Sequence, residues 1–155
     1  MEKELFLKEI TVAEIEVTYK SIIKPSLRPK ITGAESVYQL LVDTWDASKI
    51  ELIEQFKVML LNRANRVLGI CTLTSGNVTG TIADPKQVFS VALITNATYI
   101  ILAHNHPSGS VTPSNADVEL TARMKSAGEL LELKVLDHLI VTTEGFYSFA
   151  TEGTL

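Results

Sequence analysis

The sequence predicts an α+β domain, a mixed and mostly antiparallel sheet flanked by helices, and three observations predict it. Two strand-type runs, residues 56–62 and 67–74, are joined by a short polar turn, and Ser75-Gly76-Asn77 turns into a third run at 78–82, so the three read as an antiparallel meander. Residues 99–103 (YIILA) are apolar throughout, as in a strand covered on both faces. Elsewhere apolar residues recur at i, i+3, i+4 and i+7, the spacing of helices that bury one face.

Taken in chain order, residues 10–19 alternate apolar and polar with a change of phase near Val12 and Ala13. That pattern predicts a strand arm over 8–20 with a bulge, able to pair across a homodimer or to serve as an ordinary edge strand. Thr32-x-x-Glu35 has capping-box spacing and opens a helix with Val37, Leu40, Leu41 and Thr44 inward, ending near Trp45. A short helical or irregular stretch leads to the meander. Asp84 then caps a helix with Pro85 at its first position and Val88, Val91, Ala92 and Thr95 on one face. After the apolar strand and a polar segment at 104–115, a helix over 114–131 carries Ala116, Leu120, Met124, Ala127 and Leu131 as its seam. A strand at 135–142 and a hairpin partner at 146–150 complete the order β, α, β, β, β, α, β, α, β, β.

The chain has 155 residues, is 46% hydrophobic and 21% charged, and carries a net charge of −4. These values exclude intrinsic disorder and predict one domain spanning 1–155. An acidic balance without a basic run argues against tight DNA binding by this chain alone. There is no signal-type apolar stretch at the N-terminus and no run near the roughly 20 residues that cross a membrane, so a cytoplasmic protein without a membrane partner is expected. The single cysteine, Cys71, lies in an apolar run and reads as a buried thiol, leaving no pair for a disulfide.

The chemistry concentrates at the mouth of the apolar strand. In an extended chain residues i and i+2 point to the same side, so His104 and His106 can present both imidazoles to one ion. Pro107 biases His106 towards extended geometry. If Thr112 or Ser114 caps the next helix, Asp117 falls on its first turn, and helical side chains tilt towards the N-terminus, which aims its carboxylate back at the histidines. Two imidazoles and a carboxylate suit Zn²⁺, and three protein ligands leave a fourth position open for water, as in catalytic sites. A general base is then needed within reach of that water. Glu54 is the candidate, with Glu51 as the alternative. Each residue also has a plainer role: H-x-H alone is a weak signal, and Ser114 with Asp117 at S-x-x-D spacing makes an ordinary helix cap.

Glu54, His104-x-His106, seven residues, Ser114, two residues and Asp117 together resemble the JAMM signature of JAB/MPN metalloprotease domains. HNHPSG followed by TPSNAD, the upstream GTIADP and the downstream LDHLIV are more closely similar to bacterial RadC proteins, over about residues 32–149. The resemblance implies a cytidine-deaminase-like α/β/α domain, Zn²⁺ held by His104, His106 and Asp117, water activated by Glu54, and an oxyanion stabilised by Ser114. It implies amide or isopeptide hydrolysis of a peptide or protein substrate, with an association to DNA repair through the family. A metal-dependent nuclease or DNA-repair accessory protein, and a non-catalytic interaction module, are the alternatives. Base deamination is disfavoured because it needs a Pro-Cys-x-x-Cys pair. The helix-hairpin-helix module of fuller RadC proteins is not expected here. Asp137 and His138 match the RadC pattern, though a histidine entering an apolar strand is most simply a core residue.

Overall fold

The computed structural model describes residues 12–76 and 83–155. Its elements are α1 (Ala34–Thr44), β1 (Gln55–Leu61), β2 (Val67–Ser75), α2 (Pro85–Ile94), β3 (Tyr99–Asn105), α3 (Asn115–Leu130), β4 (Lys134–Val141) and β5 (Phe146–Ser148). The strands form one five-stranded sheet in the order β2-β1-β3-β4-β5. Only β3 and β4 run parallel, joined through α3 as a crossover needs, while β1–β2, β1–β3 and β4–β5 are antiparallel.

Because both faces of the central strands are covered, β1 is buried along its whole length and β3 from Ile100 onward. On one face Phe56, Val58, Leu60, Ile100 and Leu102 pack against Val88, Phe89 and Ala92 of α2 and Met124 of α3. On the other, Met59, Leu61, Ile101, Ala103 and Leu139 pack against Val37, Leu41 and Trp45 from α1 and its cap. Each fully buried side chain of this size contributes roughly 1.5 to 3 kcal/mol. The result is an α+β domain of three layers, with the mouth of β3 at the edge of both cores.

Several local expectations are corrected. The described part of the arm, residues 12–20, forms no strand, and Val12, Ile15 and Val17 are 79%, 87% and 66% exposed. Alternation supplies an apolar face, but a strand needs a ladder partner, and among the described residues none is paired with it. The Tyr19 hydroxyl instead donates to the Leu68 carbonyl at 2.6 Å. Residues 8–11 and the predicted run at 78–82 lie outside the described residues. The box at the start of α1 is built by Ser36, not Glu35: Ser36 Oγ accepts from the Thr32 and Gly33 amides at 2.9 and 3.1 Å. Thr44 turns outward and bonds back to Leu40 O, leaving Val37 and Leu41 as the buried positions of α1. Cys71 is half-buried at the margin of a core.

The seam of α3 is also rotated from its predicted line. Thr121, Met124 and Gly128 are buried, Leu120 and Ala127 pack partly, and Ala116 and Leu131 face outward. Gly128 explains the shift, since a Cβ there would sit 2.3 Å from the Leu133 carbonyl oxygen. Glycine lets the end of α3 approach the start of β4 closely enough for the Leu133 amide to bond Gly128 O at 2.8 Å.

Candidate metal centre

His104 is the next-to-last residue of β3 and 2% exposed, and His106 follows one residue past the strand end, its amide donating to Val141 O at 3.1 Å. The two rings face the same side, with His104 Nε2 3.1 Å from His106 Nε2. Ser114 is the N-cap of α3, which decides between the two predicted caps. The Ser114 hydroxyl accepts the Asp117 amide at 3.2 Å and donates to Asp117 Oδ2 at 2.8 Å, while the Ser114 amide donates to the same oxygen at 2.7 Å. Held this way, the carboxylate turns Oδ1 to within 3.2 Å of His104 Nε2 and keeps Oδ2 3.8 Å from His106 Nε2. His104, His106 and Asp117 thus offer one ligand atom each, all within 4.8 Å of one another, a group that could hold a metal ion.

The hydrogen bonds around this cluster decide which atoms carry protons. His106 Nδ1 lies 2.8 Å from the Ser110 carbonyl oxygen, which can only accept, so Nδ1 carries a hydrogen and Nε2 is the nitrogen turned inward. The turn that delivers Ser110 O needs Gly109 at φ +81°, with the Gly109 amide on His106 O at 3.0 Å. Burial raises the pKa of Asp117, but the hydrogen bond and charge of His104 and the bonds from Ser114 outweigh it, so the carboxyl lies well below the usual carboxylate range. An ionised carboxylate and the Nε2 atoms of both histidines therefore converge, and a cation bound there would take the place of the imidazole proton that His104 otherwise shares with Asp117. The nitrogen and oxygen donor set fits Zn²⁺.

His138 is fully buried, and desolvation, reinforced by the nearby His104, pushes its pKa well below the ordinary histidine value. It lies between Phe149, stacked at 4.9 Å between ring centres, and the edge of Phe56 at 5.8 Å. Its Nε2 is 2.9 Å from His104 Nδ1 and its Nδ1 is 2.6 Å from Thr121 Oγ1. It is thus a core histidine with both ring nitrogens partnered, one of them by His104. Asp137 belongs to the opposite face. Burial raises its pKa, against bonds from the Ser148 hydroxyl at 2.6 Å and the Ala150 and His138 amides at 3.0 and 2.7 Å, which tie β4 to the C-terminal segment.

Beside the cluster is a cleft of about 460 Å³ lined by Leu52, Ile53, Glu54, His106, Pro107 and residues of the 108–112 loop. Glu54 is on its wall. Glu51 is exposed and accepts instead from the Thr143 hydroxyl at 2.8 Å. The segment carrying Glu54 is fixed by a residue the sequence reading missed. Asn105, between the two histidines, points to the opposite side of β3, donating to Ile50 O and Ile53 O at 2.7 and 2.9 Å and accepting from the Gln55 amide at 2.7 Å. Its signal was available: a polar residue at the end of a buried strand must find partners. Thr121, one helical turn after Asp117, carried the weaker signal of shared-face spacing.

A family model described as a RadC-like JAB domain matches residues 31–154. The chain belongs to the RadC-like JAB family. Among curated relatives, a UPF0758 protein of Flavobacterium johnsoniae is 48% identical over 100 residues, covering 64% of this chain and 44% of its own length. UPF0758 proteins of Chlorobaculum parvum and Clostridium kluyveri are 38% identical over 131 residues and 36% identical over 148, covering 84% and 96% of this chain and 57% and 63% of their own lengths. The chain thus spans about half the length of these relatives. Membership in the RadC-like JAB family supports a metal-dependent, hydrolase-like domain. Among the described residues, no helix is long and apolar enough to cross a membrane.

Proposed function

We propose that this RadC-like domain is a zinc-dependent hydrolase of amide or isopeptide bonds in a peptide or protein substrate. The observation that carries the reading is the convergence of His104 Nε2, His106 Nε2 and an Asp117 carboxylate oxygen at the mouth of β3, next to a cleft walled by Glu54. Zinc bound by these three residues supplies Lewis acidity for a carbonyl oxygen and lowers the pKa of an attacking water.

The remaining work falls to the chain's own residues. Glu54 takes the proton of the attacking water and returns it to the leaving amine, which requires a carboxylate on the cleft wall. Ser114 holds Asp117 in place through its amide and hydroxyl. For the hydroxyl to stabilise oxygen charge developing on the carbonyl, its one proton must turn from Asp117 Oδ2 to that oxygen, leaving the amide to hold the carboxylate. The apolar Leu52, Ile53 and Pro107 give the cleft a surface for the uncharged part of a chain. Among the described residues, the cleft lining contains no lysine or arginine, which supports an amide substrate over a phosphodiester.

The test is metal content by inductively coupled plasma mass spectrometry of protein purified without chelator or metal-binding tag, beside Asp117→Ala prepared identically. Near-stoichiometric zinc that is lost in the variant is the expected result, followed by peptidase assays with Glu54→Ala as control. Negligible metal in both, even after zinc is offered, overturns the hydrolase reading and leaves an interaction module.

A further inference from the structure

We infer that Thr121 and His138 are positioning residues that fix His104 as an Nε2 metal ligand through a directional relay of hydrogen bonds ending on the main chain of Asp117. The inference rests on the metal reading above and assigns a role to two residues outside the ligand set.

The direction follows from which atoms can donate. Thr121 Oγ1 is 2.6 Å from the Asp117 carbonyl oxygen, one helical turn earlier, and 2.6 Å from His138 Nδ1. A carbonyl oxygen only accepts, so the single hydroxyl proton goes to Asp117 O and Thr121 Oγ1 accepts from His138 Nδ1–H. With its proton on Nδ1, the neutral His138 ring offers a lone pair at Nε2, 2.9 Å from His104 Nδ1, which donates. His104 Nε2, the atom facing His106 and Asp117, is thereby assigned to the ion. The reverse order fails at its first link, because a Thr121 proton sent to His138 leaves two lone pairs facing each other at 2.6 Å.

The relay closes a circuit. Asp117 reaches His104 from one side with its carboxylate and from the other through its main-chain carbonyl, Thr121 and His138. Asp117 and Thr121 both ride on α3, so the ligand carboxylate and the start of the relay keep a fixed spacing. The His106 ring, by contrast, is oriented by Ser110 O alone in this way. Such outer partners set ligand tautomer and orientation, and their loss commonly lowers metal affinity by about 10- to 100-fold.

Two measurements test this. Zinc affinity is measured by competition with a chromophoric chelator for the parent, Thr121→Val and Thr121→Ser. Valine keeps the shape and removes the hydroxyl, so about a 10- to 100-fold loss is expected, with serine restoring most of it. Nitrogen NMR of the parent, zinc-free and zinc-loaded, is expected to show the His138 proton on Nδ1 and a scalar coupling across the His104–His138 bond. Unchanged affinity in Thr121→Val, no recovery in Thr121→Ser, or a His138 proton on Nε2 each overturns the relay. A parent that binds no zinc defeats the metal reading by itself, and the proton position on His138 in the zinc-free protein then decides the relay.

Discussion

Asn105 Oδ1 accepts the Gln55 amide at 2.7 Å, so the residue between the two site histidines anchors the backbone next to Glu54. Its two donors go to Ile50 O and Ile53 O on the other side of that glutamate. One strand end therefore presents two imidazoles from one face and holds the candidate base from the other. Asn105→Ala leaves two buried backbone groups and one half-buried one without this partner, at about 1 to 3 kcal/mol each when unsatisfied. The variant is expected to lose roughly 3 to 5 kcal/mol in urea denaturation. A loss under about 1 kcal/mol shows that the segment is held by other means.

Ser114→Ala separates capping from chemistry. As the cap of α3 its loss costs about 1 kcal/mol, read as a modest fall in melting temperature. If its hydroxyl also serves the developing oxyanion, turnover falls by about 10²- to 10³-fold while zinc is retained. Activity that falls only in step with stability leaves Ser114 as a cap and an anchor for Asp117.

His138 makes the zinc-free protein sensitive to acid. Its folded-state pKa lies well below the ordinary value, so between the two values the unfolded chain binds more protons and stability rises with pH. The contribution is present above about pH 6.5 and is lost as pH falls below it, at up to roughly 1.4 kcal/mol per unit for one proton. Denaturation midpoints from pH 7 to pH 5 are expected to fall more steeply for the parent than for His138→Phe. Parallel curves contradict the assignment of this slope to His138.

Gly128→Ala tests the contact between α3 and β4. A methyl group placed 2.3 Å from the Leu133 carbonyl forces the two elements apart, because the obstacle is backbone. A destabilisation of about 1 to 3 kcal/mol is expected in thermal or chemical melts, against the stabilisation that glycine-to-alanine gives in an open helix.

Chelation is expected to lower the melting temperature and leave the fold intact. Both cores are continuous without the cluster, and its ligands stand at their edge. Circular dichroism before and after chelator checks this, and a disordered chelated protein contradicts it.

Local chemistry made much of this protein legible in its sequence. Strands β1, β2 and β3 follow from apolar runs and turns, α2 from Asp84 and Pro85, and the cap of α3 from Ser114 and Asp117. Period two placed His104 and His106 on one side, and helix tilt aimed Asp117 at them. These are short-range rules in which each residue reports its own geometry.

Only the tertiary structure decided how distant segments meet. Periodicity alone does not show that residues 12–20 find no ladder partner among the described residues or that Asn105 reaches back fifty residues to Gln55. The placement of His138 is the clearest case. Val135 packs against the α2 and α3 core and Leu136 against the α1 core, so simple alternation would send His138 to the α1 face. A register shift, with Ile100 opposite Val135 but Ile101 opposite Asp137, inserts one residue into β4 and reverses the phase. His138 thereby reaches His104 and Thr121. A bulge costs little locally and is set by packing on both faces of the sheet, so strand periodicity alone could not predict which side that histidine would take.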